Sequence, residues 1–155
     1  MYRMCLGFIF GLVIATLWGR GNGAQAGVSA KAHLQSAGTA QVRVSPSGKA
    51  RVRPLAGPEL GGAEAAFLAL LELEPGAGVP EHRDSTEEFV HFLEGHGTLH
   101  VDGRSFDVQP GDTVYMPANA LVRFEGGDAP MKVLQVFAPP GPEAKYEGWP
   151  LADSD

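Results

Sequence analysis

Three side chains stand close enough in the sequence to act together: His82, Asp84 and Glu88. On an extended strand, residues i and i+2 project to one face, so His82 and Asp84 point the same way. Glu88 opens the next strand after a short turn and can bring a second carboxylate back toward them. One imidazole and two carboxylates suit a divalent ion such as Fe(II), Mn or Zn, with positions left open for water or substrate. The facial arrangement of the non-haem iron oxygenases uses two histidines and one carboxylate, and here the ratio is reversed. The same groups also make sense without a metal, as a polar cluster hydrogen-bonded internally and to Arg123 or water. Two carboxylates beside an imidazole then raise its pKa and hold it cationic. Both readings stay open on these residues.

The other histidines are weaker candidates. His91 has the opposite strand parity from Glu88 and is expected to face away, and His96 sits in the turn between Gly95 and Gly97. His100, on the following strand, is the one that could replace a missing ligand, while His33 lies in a small-residue arm and is expected to be inert. His82, Asp84 and Ser85 are too local for a hydrolase triad, and no G-x-S-x-G elbow occurs. No Walker loop or dinucleotide fingerprint is present.

These groups must be positioned by short strands. Gly and Pro number 21 and 12, which suits many tight turns. Val42 and Val44 alternate with polar residues, Ser45–Gly48 reads as a turn, Lys49 to Arg53 returns, and Pro54 to Gly62 reads as a loop. Glu88–Leu93, Thr98–Val101, Arg104–Val108, Asp112–Met116, Leu121–Phe124 and Met131–Phe137 follow as strands. Asp102-Gly103 between two of them is a strong hairpin signal, because both positions tolerate positive φ. Such spacing predicts an antiparallel sandwich or barrel. Val90, Phe92, Val114, Met116 and Phe124 are expected to form core or pocket lining. The tail from Pro139 carries Tyr146 and Trp149, expected to pack across the outside.

Two ordered glycine-bounded segments add a resemblance. Gly76, His82, Asp84, Glu88 and Gly95 match G-x5-H-x-H-x3-E-x6-G except that Asp84 takes the place of the second histidine. Gly111, Pro117, Asn119, Val122 and Gly126 stand where G-x5-P-x-G-x2-H-x3-N has glycine, proline, glycine, histidine and asparagine. Asn119 can replace glycine because it also tolerates positive φ. Fifteen residues separate Gly95 from Gly111. In order and at this separation, the segments resemble the two motifs of the cupin superfamily, in its compact microbial form. The resemblance implies an all-β fold: a cupin-type antiparallel β-barrel (double-stranded β-helix, or jelly roll) over residues 41–140, with motifs at 76–95 and 111–126. It also implies that Glu64–Glu74 is a strand, although its Ala, Leu and Glu content favours a helix. Family members normally supply three histidines and one glutamate to a metal; here His82 and Glu88 remain, Asp84 and Val122 do not match, and the site is read as degenerate. The resulting expectation is a pocket lined by His82, Asp84, Glu88, Val122 and Phe124, binding a small organic ligand such as a sugar or organic acid. The alternative is a metal-dependent dioxygenase, decarboxylase or isomerase using His82, Asp84 and Glu88 with Fe, Mn or Zn. A structural role through dimerisation is a third reading.

The whole chain sets outer limits. Its 155 residues suffice for one domain with a core. Arg3, the apolar run Cys5–Trp18 and Ala24-Gln25-Ala26 read as a signal peptide over residues 1–26, followed by a flexible arm at 27–40 and, beyond the barrel, a tail at 141–155. The protein is therefore expected to be exported, periplasmic or secreted, without a membrane partner after cleavage. Cleavage removes Cys5, the sole cysteine, and moves the formal net charge from −6 to −8 by taking Arg3 and Arg20 and no acid. An acidic chain without a basic run offers no electrostatic basis for nucleic-acid binding. Exported protein should begin at Gly27; intact-mass analysis checks this, and a retained Met1 would contradict it.

Overall fold

The computed structural model describes residues 32–152. The expected leader and its cleavage site lie outside these residues. Ten strands form two antiparallel sheets that close face to face. The strands are β1 (Arg43–Val44), β2 (Ala50–Ala56), β3 (Phe67–Leu73), β4 (Gly78–His82) and β5 (Glu87–Glu94). They continue as β6 (Gly97–Val101), β7 (Arg104–Val108), β8 (Thr113–Met116), β9 (Val122–Gly126) and β10 (Met131–Ala138). One sheet has six strands in the order β1-β2-β3-β10-β5-β8, and the other has four in the order β4-β9-β6-β7. The all-β barrel of the cupin type is the observed fold.

Alternation builds the interior. Phe67, Ala69, Leu71 and Leu73 of β3 are buried while the residues between them are only partly covered. β10 does the same with Met131, Val133, Gln135 and Phe137. From the opposite sheet come Leu99, Val101, Val122 and Phe124. The helix-favouring composition of β3 is overridden because β2 and β10 pair with it on both sides. A helix would forfeit both ladders and half of that apolar face, far more than a few tenths of a kcal/mol per residue of propensity.

The boundaries differ from expectation in places. β2 runs on to Ala56 through Pro54, where a loop was expected. Its pairing register shifts between Pro54 and Ala56, the kind of irregularity at which a strand tolerates proline. β4, which carries His82, pairs with β9 and has a shift of its own between Val79 and His82. In the arm, residues 36–40 form a turn in which the Thr39 and Ala40 amides donate to the Ser36 carbonyl at 3.1 and 3.0 Å.

The tail departs most from expectation. A 3-10 turn at Pro142–Tyr146 brings Tyr146 into the interior, where it is buried among core residues. Arg43 Nη1 donates to the carbonyls of Glu147 and Trp149 at 3.1 and 3.0 Å. Backbone bonds from Val44 to Pro150 and from Ala152 to Val42 fix the tail beside β1. Tyr146 therefore packs inward, not across the outside.

Two turn glycines separate strain from crowding. Gly95 has φ +81°, and a Cβ there would stand 2.5 Å from the Pro130 carbonyl oxygen. Gly103 has φ +77° with nothing within 4 Å of its would-be Cβ, and it follows Asp102 at φ 46° in the expected hairpin turn. Gly103→Ala should cost about 1 kcal/mol of stability, from backbone strain alone. Gly95→Ala should cost roughly 1–3 kcal/mol more, from overpacking. Denaturant unfolding of the two variants side by side checks the difference, and equal losses would contradict the close approach.

Candidate functional site

The two sheets enclose a cavity of about 600 Å³. Most of its wall is hydrocarbon, with Leu71, Val90, Phe92, Phe124, Met131 and Val133 typical. Phe92 and Phe124 face each other from opposite sheets with ring centroids 6.1 Å apart. His82, Glu88, Gln135, Lys145 and Tyr146 bring polar groups to one part of the wall, and Ser45, Ser47 and Lys49 of the β1–β2 turn bring others.

Glu88 and Gln135 arrive from the paired strands β5 and β10, where their inward parity forces them into the interior. Glu88 is 5% exposed, Gln135 4% and Tyr146 5%. Gln135 Nε2 donates to Glu88 Oε1 at 2.6 Å, and the Tyr146 hydroxyl donates to Gln135 Oε1 at 2.8 Å. The side-chain amide thus gives in one direction and receives in the other, so each buried member has a partner. Burial pushes the Glu88 carboxyl above the ordinary glutamate value, and the Gln135 bond only partly offsets it. Burial likewise raises the Tyr146 hydroxyl, which stays protonated.

A second cluster joins the end of β4 to the tail. His82 Nδ1 lies 2.9 Å from the Pro80 carbonyl oxygen, and His82 Nε2 lies 3.4 Å from Asp84 Oδ2. Both ring nitrogens face oxygens, an arrangement that suits the doubly protonated ring. The hydrogen bond to Asp84 raises the His82 pKa against the opposing effect of burial. Lys145 Nζ donates to both oxygens of Asp84, at 3.1 and 2.9 Å. Burial would raise the Asp84 carboxyl, but its bonds to His82 and Lys145 prevail and hold it below the usual range. The Asp84 carbonyl accepts from the Asn119 amide at 2.7 Å, and Arg83 donates to the Asn119 carbonyl. Asn119 has φ 63°, the conformation expected of a glycine substitute.

Of the residues singled out by sequence, His82, Glu88, Val122 and Phe124 lie on the cavity wall. Val122 stands opposite His82 in the β4–β9 register. Asp84 sits behind His82 and Lys145, holding both, and is not on the wall. Glu88 is buried in the interior and not a solvated group at the cavity mouth. His91 bonds Thr113 Oγ1 at 2.8 Å, and His100 bonds Ser105 Oγ at 2.9 Å on the outward parity of β6. His96 lies 3.3 Å from Asp128, and Arg123 pairs with Glu125 at 2.7 Å. None of these four lines the cavity. Gln135, Lys145, Tyr146 and Trp149 were missed. Gln135 had a signal, since it is the polar residue at inward parity in an otherwise apolar strand.

The donor set does not fit a divalent ion. A metal-ligating imidazole needs a free lone pair, and both His82 nitrogens are turned to oxygens. Both Asp84 oxygens hold an ammonium. Among the described residues, no three His, Cys, Asp or Glu side chains converge as a metal-binding group.

Comparison with known proteins agrees with this architecture. Residues 69–137 match the family model described as a cupin domain. An uncharacterized protein of Methanocaldococcus jannaschii is 37% identical over 57 residues, covering 36% of this chain and 46% of that protein. Polyketide synthase CurC of Streptomyces cyaneus is 29% identical over 94 residues, covering 59% of this chain and 61% of that protein. The chain thus spans less than two thirds of both relatives. Among solved structures, an RmlC-like cupin from Shewanella frigidimarina superposes with a TM-score of 0.62 at 14% identity, covering 71% of this chain and 93% of that one. The polyketide cyclase RemF from Streptomyces resistomycificus gives 0.63 at 20% identity, covering 81% and 87%. Residues 69–137 are thus similar to a cupin domain, and the solved structures share the cupin fold.

The buried carboxyl sets a pH dependence. Because its folded-state pKa is raised, Glu88 stabilises the fold fully below the ordinary value of 4.5, and that contribution is lost as pH rises through the folded-state value. Glu88→Gln keeps an acceptor for Gln135 and cannot ionise. Its melting temperature should gain on that of the parent as pH rises above the ordinary glutamate value. Two parallel melting curves across that range would contradict a raised Glu88 pKa.

Proposed function

We propose that this cupin-fold protein binds a small organic molecule with an apolar body and one polar end, held inside the barrel. The reading is carried by one observation: a cavity of about 600 Å³ whose walls are mostly hydrocarbon, with a buried polar cluster of Glu88, Gln135 and Tyr146 on one part of the wall. Burying an apolar body there gains roughly 25 cal/mol per Å² of surface removed from water. A sugar would need hydroxyl partners along its whole length, and Phe92, Phe124 and Met131 offer none. On the leader read in residues 1–26, the binding belongs to an exported protein.

One observation favours a second reading, proton transfer. Glu88 is a buried carboxyl on the cavity wall whose proton is favoured by its surroundings, which equips it as a general acid toward a bound molecule.

Trp149 lines the cavity, and the other tryptophan of the chain, Trp18, falls in the leader. Tryptophan emission of protein beginning at Gly27 therefore reports on the cavity. Octanol should saturate an emission change and glucose should not. Val122→Phe, which fills the cavity from β9, should weaken the octanol response at least about tenfold. A saturable response to glucose with none to octanol would overturn the reading.

A further inference from the structure

The change from histidine to aspartate at position 84 has a counterpart elsewhere in the chain. Lys145 comes from the tail, 61 positions away, and binds both Asp84 oxygens. Its ammonium also lies 4.8 Å from the centroid of the Phe137 ring and 5.5 Å from that of Tyr146, both faces that attract a cation. The turn that carries it is anchored by the Tyr146–Gln135 bond. Lys145 and His82 both line the cavity, and Asp84 sits behind them. A positive charge therefore stands on the cavity wall beside the position where the motif has its second histidine, with the aspartate as its support.

We propose that Lys145 supplies the positive charge of this site and that the cavity takes a small organic acid, with its carboxylate toward Lys145 and its apolar body against the barrel wall. The inference rests on the binding reading above. An ammonium has three hydrogens, and the two Asp84 oxygens leave one for a ligand oxygen. The carboxylates facing this charge are Asp84, already bound to it, and Glu88, which accepts from Gln135 on one oxygen. His82, turned to Asp84 and to the Pro80 carbonyl, helps hold the aspartate beside Lys145. A charged head gains more from such a partly desolvated donor than a hydroxyl does. No divalent ion is needed to hold it.

The test uses protein beginning at Gly27, with a chelator present, and compares octanoate with octanol by Trp149 emission and by calorimetry. Octanoate should bind at least about tenfold more tightly than octanol. Lys145→Met should bring the two within about twofold while leaving octanol affinity unchanged, and Lys145→Arg should keep a preference for octanoate. Equal binding of the two probes by the parent protein would overturn the role of Lys145 and leave the binding reading standing. Failure of both probes would overturn the binding reading itself. Octanoate binding that appears only when Mn(II) or Zn(II) replaces the chelator would also overturn the inference. If Lys145→Met does not fold, Lys49→Met, which removes the other lysine on the cavity wall, should leave the octanoate preference in place, and its loss there would overturn the inference.

Discussion

Gln135 has to satisfy two buried neighbours at once. It sits at an inward position of β10, between Val133 and Phe137, where an unpaired amide would cost about 1–3 kcal/mol. Its nitrogen goes to Glu88 and its oxygen receives Tyr146. These bonds connect the paired strands β5 and β10 of the large sheet to a tail that Arg43 and the β1 backbone hold from the other side. Once Tyr146 is drawn in, Trp149 packs edge-on against it at 5.0 Å, and Lys145 is carried over Phe137 to Asp84. The tail's polar contribution to the cavity, Lys145 and Tyr146, is tied to that one constraint.

The departures from the family motifs then form a set. Valine at position 122 leaves hydrocarbon opposite His82, and aspartate at position 84 supplies an anion for a lysine. A mixed site that kept Lys145 beside a divalent ion would place two cations together, a costly arrangement in a partly desolvated cluster. The chain keeps the barrel and Glu88 but assigns the glutamate a buried hydrogen-bonding role.

Much of the barrel was legible because strand alternation and turn chemistry are local. The inward sets of β9 and β10 can be read from parity, and Asp102-Gly103 from its tolerance of positive φ. The strand at Phe67–Leu73 was not legible locally, because its residues favour a helix; only pairing with β2 and β10 decides it, and the family resemblance supplied that context. For the site, His82, Glu88, Val122 and Phe124 were found through motif spacing and parity. Lys145 and Tyr146 escaped because their positions depend on where the tail crosses the barrel. That path is set by long-range bonds such as Arg43 to the Glu147 carbonyl, 104 positions apart. No periodicity within the tail encodes such a contact.

The tie between tail and barrel is best tested by a double-mutant cycle on Gln135 and Tyr146. Gln135→Leu and Tyr146→Phe, alone and combined, would be compared by equilibrium unfolding. Each single change strands a buried polar partner, whereas the pair removes that bond from both sides. The losses should fall short of additive by at least about 0.5 kcal/mol. Additive losses would mean that Gln135 does not hold the tail in place, and the cavity would then need another explanation for its polar cluster.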